Sequence, residues 1–251
     1  MKVFIPHTDV LPPAQRALLP LLGPAAALGL TLYGGTAIAL HVGHRQSVDF
    51  DFFIEHTLDR ARLLEAMPFL SSASVLQDEP DTFTVEVVVG DLQGPAVKVS
   101  FFGSTTFGRV GEPEVTNDGL LVTASPLDLL GTKLKVMLQR AEAKDYQDVA
   151  ALLRHGVRLE DGLGAARALY GKAFQPQEAL RALTYFEGGD VARLVPEDRD
   201  LLARTVASAG MVSEVAVKSR TLGAPGTALP LAPFDSGPRA GSGDPHPPEL
   251  I

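Results

Sequence analysis

Two aspartates one residue apart, Asp49 and Asp51, are the residues of this 251-residue chain whose type and spacing speak most directly of chemistry. They lie in Ser47-Val48-Asp49-Phe50-Asp51-Phe52-Phe53-Ile54, which alternates as a strand does. Both carboxylates therefore share one face, and Val48, Phe50 and Phe52 take the other. At roughly 5 Å and an effective dielectric near 20, the two charges repel by about 3 kcal/mol. Folding disfavours that arrangement unless something positive sits between them. An arginine would serve. A hard divalent cation serves better, because Mg²⁺ takes carboxylate and phosphate oxygens. Taken alone, the pair could equally be surface aspartates on an edge strand.

A second feature precedes the pair. Gly34-Gly35-Thr36 stands between an apolar β-leaning run and a helical one. Two glycines let backbone approach a ligand, and a helix start offers N–H groups to an anion. Thr36 adds a hydroxyl at the same place. A phosphate-cradling turn followed by a carboxylate pair on the next strand is a way to hold a metal–NTP. One or two Mg²⁺ ions on Asp49 and Asp51 would activate an attacking hydroxyl and neutralise the pyrophosphate that leaves. The pattern differs from the GxxxxGK[ST] phosphate loop, which the sequence lacks.

A third group lies further on. Read as one helix over 133–152, the chain places Lys133, Met137, Arg140, Lys144 and Asp148 on one face, beside an apolar stripe of Leu134, Leu138, Ala141, Val149 and Leu152. Three cations on one face of a chain with net charge -8 form a local positive strip. Opposite the aspartates it would clamp a triphosphate, with Lys133 the leading contact and Arg140 second. Asp145 falls within the apolar stripe and needs a partner, with orienting Lys144 or another basic group, or placing the acceptor hydroxyl, as its expected roles. Asp148 is placed to pair with Lys144. Arg45 is open between contacting phosphate and bracing the turn; His44 reads as a brace.

The elements that must position these groups follow from the pattern. Residues 11–28 read as a helix broken by prolines, Thr36 to Val42 as a helix closed by Gly43, and 60–70 as helical. The runs 82–89 and 96–102 read as a hairpin across GDLQGP. From Ser125-Pro126 onward the pattern is helical, near 126–155, 160–172, 176–186 and 197–209. Residues 221–251 hold 7 Pro and 5 Gly, too little apolar content for a core, and read as a disordered tail. The expectation is an α/β (α+β) front half, with a small mixed sheet flanked by helices, and an all-α back half. The divisions are 1–125 (catalytic), 126–218 (helical) and 219–251 (tail).

Taken together, Gly34-Gly35-Thr36-Ala37, Gly43-His44-Arg45, Ser47 and Asp49-x-Asp51-x-Phe53 resemble the AbiEii/AbiGii toxin family of the polymerase-β-like nucleotidyltransferases. Lys133-Leu134, Arg140, Lys144-Asp145 and Asp148 resemble that family's second motif, and Leu183-Thr184-Tyr185-Phe186-Glu187 a later stretch. The resemblance spans about residues 30–190. It implies a nucleotidyltransferase fold, catalytic Asp49, Asp51, Lys133 and Asp145, and nucleotide contacts from Gly34, Gly35, Thr36, Arg45, Ser47, Arg140 and Lys144. It further implies Mg²⁺ on Asp49 and Asp51, an NTP substrate, a tRNA or protein acceptor and a cognate antitoxin. One departure stands out: where the superfamily carries a third acid on a later strand, this sequence has Ser100, with Glu86 as a substitute on the neighbouring strand.

Composition narrows the classes. The chain has no cysteine, so disulfides and thiolate metal sites are excluded. An acidic balance argues against general affinity for nucleic acid. No run of signal or membrane-spanning character is present, and the expected location is the cytoplasm with no membrane partner. Modification of a small molecule, as by antibiotic nucleotidyltransferases, and a nucleotide-binding protein whose catalysis has lapsed remain as alternatives.

Overall fold

The computed structural model describes residues 1–89 and 96–223. The turn GDLQGP and most of the Pro/Gly-rich tail lie outside the described residues. The front half comprises β1 (Lys2–Phe4), α1 (Pro13–Leu18), α2 (Pro24–Ala27), β2 (Thr31–Tyr33), α3 (Gly34–Val42), β3 (Asp49–Phe53), α4 (Arg60–Ala66), β4 (Ser74–Glu79), β5 (Thr82–Val87), β6 (Val97–Phe102), β7 (Glu114–Thr116) and β8 (Val122–Thr123). Helices follow: α5 (Pro126–Val136), α6 (Ala143–Arg154), α7 (Leu159–Tyr170), α8 (Pro176–Ala182) and α9 (Pro196–Ser208).

The strands form one mixed sheet in the order β1-β7-β8-β2-β3-β6-β5-β4. At its centre, β3 runs antiparallel to β2 and parallel to β6. That register sets Tyr33 and Ser100 on either side of Asp51, and Lys98 beside Asp49. The expected β5–β6 hairpin pairing is present, from Thr82↔Phe102 to Val87↔Val97. Strands β1, β4, β7 and β8 are additions to the sequence reading. β1, β7 and β8 have only two or three residues each, too short for an alternation to register. β4 has six, yet every one is exposed, so no apolar face marks it.

Local chemistry explains the helix ends. Gly43 closes α3 at φ +66°, the left-handed cap that glycine takes without a Cβ penalty, and its N–H donates to Ala39 O. Ser125 caps α5 by accepting from Asp128 N, with Pro126 in the first turn. The Asp128 carboxylate then accepts from Val110 N and Gly111 N at 2.7 and 2.9 Å, tying α5 to the strand side.

The single helix expected over 133–152 is in fact two. α5 ends at Val136 and α6 starts at Ala143. No Gly or Pro marks the break in Met137-Leu138-Gln139-Arg140-Ala141-Glu142, and every residue there favours helix. The cause is distant in sequence. Ala143 N donates to the Asp190 carboxylate at 2.6 Å, capping α6 from a separate turn. Gly189, at φ +54°, lies so close to Ala141 O that a Cβ would stand 2.1 Å from it. Tertiary contact thus overrides propensity.

One apolar core runs from Leu11 to Leu222 and takes in both the sheet and the helices after Pro126. The final described stretch is laid against this body rather than free of it. Ser219 bridges Arg109, Arg220 donates to Thr106 O, and Leu222 is 1% exposed.

Candidate active site

Asp49 and Asp51 leave β3 on one face, and the surrounding open cleft is shared with Gly35, Arg45, Ser47 and the cations of the helical half. Lys133 at the end of α5, Arg140 in the α5–α6 break and Lys144 at the start of α6 all line it. The fold therefore gathers eight of the site residues expected from sequence into one cleft. Gly34, Thr36 and Asp145 do not line it.

The two aspartates differ. Asp49 keeps about a third of its side chain exposed and pairs with Lys98 at 3.4 Å. Asp51 is buried, and its Oδ1 has no hydrogen-bond partner. Burial first, and the neighbouring charge of Asp49 second, push its carboxyl up to about 6, against opposing pulls from Lys98 and Lys133. A buried carboxylate with an orphaned oxygen is costly. A divalent ion bridging the two acids would relieve both the burial and the repulsion.

The donor set fits such an ion. Among the described residues no three His, Cys, Asp or Glu side chains converge as a closed metal cage. Two carboxylates with phosphate oxygens and water suit Mg²⁺, which seldom uses an all-protein cage.

The glycine pair serves the protein as well as any ligand. Gly34 sits at φ +73°, and a Cβ there would lie 2.8 Å from Asp51 Oδ2. A Cβ on Gly35 would meet Arg45 Nη2 at 2.5 Å. Both glycines thus let a carboxylate and a guanidinium come up against the start of α3. Thr36 departs from its expected role as a nucleotide contact. It is 1% exposed, its hydroxyl donates to Asp49 O, and Ser47 Oγ stands 2.9 Å away. It braces β3 against α3.

Beneath the cleft lies a buried charge cluster. Asp148 is fully buried and takes Lys133 Nζ at 2.9 Å, Arg45 Nε and Nη2 at 2.7 and 2.9 Å, and His44 Nε2 at 2.7 Å. Asp145, also fully buried, takes Lys133 Nζ at 2.7 Å and Arg140 Nε at 2.9 Å. Burial alone would raise both carboxyls. The charge of Lys133, with Arg140 at Asp145 and with His44 and Arg45 at Asp148, overcomes it and holds each below the ordinary carboxylate range. Burial likewise opposes the charge on Lys133, but Asp148 and Asp145 outweigh it and raise its pKa.

Three sequence readings change here. Asp145, expected as a catalytic group, spends its carboxylate on Lys133 and Arg140 and lines no part of the cleft. It orients Lys133 and Arg140, the part of the sequence reading that gave it a basic group to hold. Asp148 pairs with Lys133 and Arg45, not with Lys144, whose partner is Glu142 at 2.8 Å. The shared helical face is replaced by a helix–turn–helix that folds Lys133 and Arg140 onto the same buried acids. His44 is the brace the sequence suggested. Arg45 is a brace as well, gripping Asp148, and it also lines the cleft.

Ser100 stands beside Asp51 on β6, its hydroxyl near enough to favour the Asp51 carboxylate slightly but outside good hydrogen-bond geometry, and Glu86 is exposed on β5 opposite Lys98. Neither puts a third acid beside Asp51. Lys98 was missed from sequence. The alternation Val97-Lys98-Val99-Ser100 put it on the face of Ser100, but only the parallel β3–β6 register brings it to Asp49.

Comparison with known proteins decides the assignment. The sequence profile of the family described as "Nucleotidyl transferase AbiEii toxin, Type IV TA system" matches residues 16–211. The chain belongs to the AbiEii nucleotidyltransferase toxin family. A curated relative from Aquifex aeolicus (strain VF5), "Uncharacterized protein aq_aa25", is 31% identical over 170 residues, covering 66% of this chain and 77% of that one. Two solved structures share the fold. One is MenT4, the nucleotidyltransferase toxin Rv2826c from Mycobacterium tuberculosis H37Rv, at TM-score 0.54 and 14% identity over 78% of this chain and 82% of that one. The other is an antigenic nucleotidyltransferase-like protein from Paracoccidioides brasiliensis, at 0.51 and 17% over 79% and 95%. The AbiEii assignment makes the protein a nucleotidyltransferase. Among the described residues, no helix is long and apolar enough to cross a membrane.

Proposed function

We propose that this AbiEii protein transfers a nucleoside monophosphate from an NTP to a tRNA or protein acceptor, using Mg²⁺ held by Asp49 and Asp51. The observation that carries the reading is the buried Asp51, with an orphaned oxygen beside Asp49, in a cleft rimmed by Arg45, Arg140 and Lys144. In this reading residues 1–125 supply the carboxylates and 126–218 most of the cations.

When bound, the ion supplies charge neutralisation at the reacting phosphate and a lowered pKa for the acceptor hydroxyl. The chain's own groups do the rest. Asp49 and Asp51 fix the ion's place on a rigid central strand. The start of α3 at Gly35, which lines the cleft, would offer backbone N–H groups to a triphosphate. Lys133, Arg140 and Lys144 meet the negative charge that builds on the pyrophosphate as the bond to the α-phosphorus breaks and the acceptor oxygen bonds to it. Because Asp145 and Asp148 hold Lys133, and Asp145 holds Arg140, before substrate arrives, little reorganisation of those two cations is needed.

The family name motivates the remaining expectations: the toxin half of a toxin–antitoxin pair, a cognate antitoxin as partner, and a cytoplasmic site of action. Ser100 in place of a third acid favours a second reading, a nucleotide-binding protein without turnover. Incubation with each α-labelled NTP, Mg²⁺, total cellular RNA and cellular protein separates these. Label on RNA or on protein identifies the acceptor, and Asp51→Ala must abolish it. Transfer that persists in Asp51→Ala would refute the site. NTP binding with no labelled product would favour the second reading.

A further inference from the structure

Lys98 stands between two acids. On β6 it is the parallel-register neighbour of Asp49 on β3 and the antiparallel-register partner of Glu86 on β5. Cross-strand neighbours share a face and lie about 5 Å apart at Cβ, so a four-carbon lysine stem reaches either without backbone motion. The ammonium is on Asp49 at 3.4 Å, with side-chain exposures of 28% and 35%. Glu86 is exposed and makes no ion pair among the described residues. A cation at Asp49 occupies the place a metal would need. A carboxylate on the other flank offers that cation somewhere to go.

We propose that Lys98 is a movable counter-ion of the metal site, neutralising Asp49 in the metal-free protein and passing to Glu86 when a divalent cation takes Asp49. Glu86 thereby sets how tightly the metal is held, without touching it. Asp51 is buried and makes no ion pair with Lys98, so it feels that ammonium only at longer range and does not trade partners with it. The inference rests on the metal reading given above.

The test is Mn²⁺ binding to the full chain without nucleotide, followed by the electron paramagnetic resonance signal of free Mn²⁺. Omitting nucleotide removes any contact of Lys98 with phosphate from the result. Lys98→Met should tighten Mn²⁺ binding by about two- to fivefold, the range of a partly exposed ion pair. Glu86→Gln should weaken it by roughly twofold. The double variant should match Lys98→Met alone, because Glu86 acts only through the lysine. Asp51→Asn should abolish binding. If Mn²⁺ binds and Asp51→Asn removes it, yet Lys98→Met binds no tighter, the exchange is wrong and the metal site stands. The exchange is equally overturned, with the metal site intact, if Glu86→Gln weakens binding by the same factor in the Lys98→Met background. If the wild-type chain binds no Mn²⁺, or Asp51→Asn leaves binding intact, the metal reading falls and the exchange with it. Melting curves of each variant confirm that all are folded.

Discussion

Asp148→Asn should cost far more stability than any exposed charge in the protein. The wild-type carboxylate is fully buried and receives donors from Lys133, Arg45 and His44 at 2.7 to 2.9 Å. Asparagine keeps the shape but replaces one acceptor oxygen with an amide nitrogen, which would face a donor. It also leaves Lys133 sharing Asp145 with Arg140, and Arg45 with no acid partner among the described residues. Removing one partner of a buried pair costs about 3–5 kcal/mol. For a protein of this size each kcal/mol moves the melting midpoint by roughly 2–4 °C, so a fall of about 6–20 °C is expected at pH 7. The control is Glu142→Gln. Its carboxylate is 39% exposed and pairs with Lys144 at 2.8 Å and more loosely with Arg140 at 3.7 Å, and the cost should stay under about 1 kcal/mol. The sign with pH follows from the depressed folded pKa of Asp148. Its contribution is complete above the unfolded carboxylate range and is lost as pH falls below it. The gap between variant and wild type should therefore narrow below about pH 4. Differential scanning fluorimetry from pH 7 to pH 3 measures both. A melting shift equal to that of Glu142→Gln would refute the claim that this cluster fixes the cleft.

Asp51→Asn should stabilise the metal-free protein at pH 8. The carboxyl is pushed up to about 6, so its ionised form is penalised above that pH; the gain is up to about 3 kcal/mol and vanishes below pH 4, as urea unfolding at the two pH values would show. His41 shows the opposite slope. Burial lowers its pKa to about 4, so the unfolded chain binds the extra proton first, and stability should fall as pH drops from 6.5 towards 4; His41→Gln should flatten that slope in the same titration. Gly34→Ala should cost about 1–2 kcal/mol through its positive φ and should also displace Asp51, so Mn²⁺ affinity and melting midpoint should fall together.

What could be read in advance divides by range. The Asp49/Asp51 face, the Gly43 cap and the Ser125-Pro126 helix start are local signals: alternation, a left-handed turn, an N-cap. They carried over because the structure asks nothing more of those segments than their neighbours supply. The break between α5 and α6 was illegible, since Asp190 and Gly189 impose it on residues that otherwise favour helix. The same break reassigns Asp145 and Asp148 from a helix face to a buried cluster. Lys98 escaped for a related reason. Its meaning lies in the β3–β6 register, and parallel pairing across an intervening hairpin leaves no mark in either strand. Family resemblance found Lys133, Arg140 and Asp145 as a set, but not that the acid holds the cations from below.

The central claim is that Asp49 and Asp51 together hold a divalent ion carrying a triphosphate. A crystal structure with Mn²⁺ and a non-hydrolysable NTP tests it through the anomalous signal of the metal. The account expects one strong peak at about 2.0–2.3 Å from oxygens of both aspartates and of the triphosphate, with Lys98 withdrawn from Asp49. Nucleotide bound with no peak there, and Lys98 still on Asp49, would contradict it.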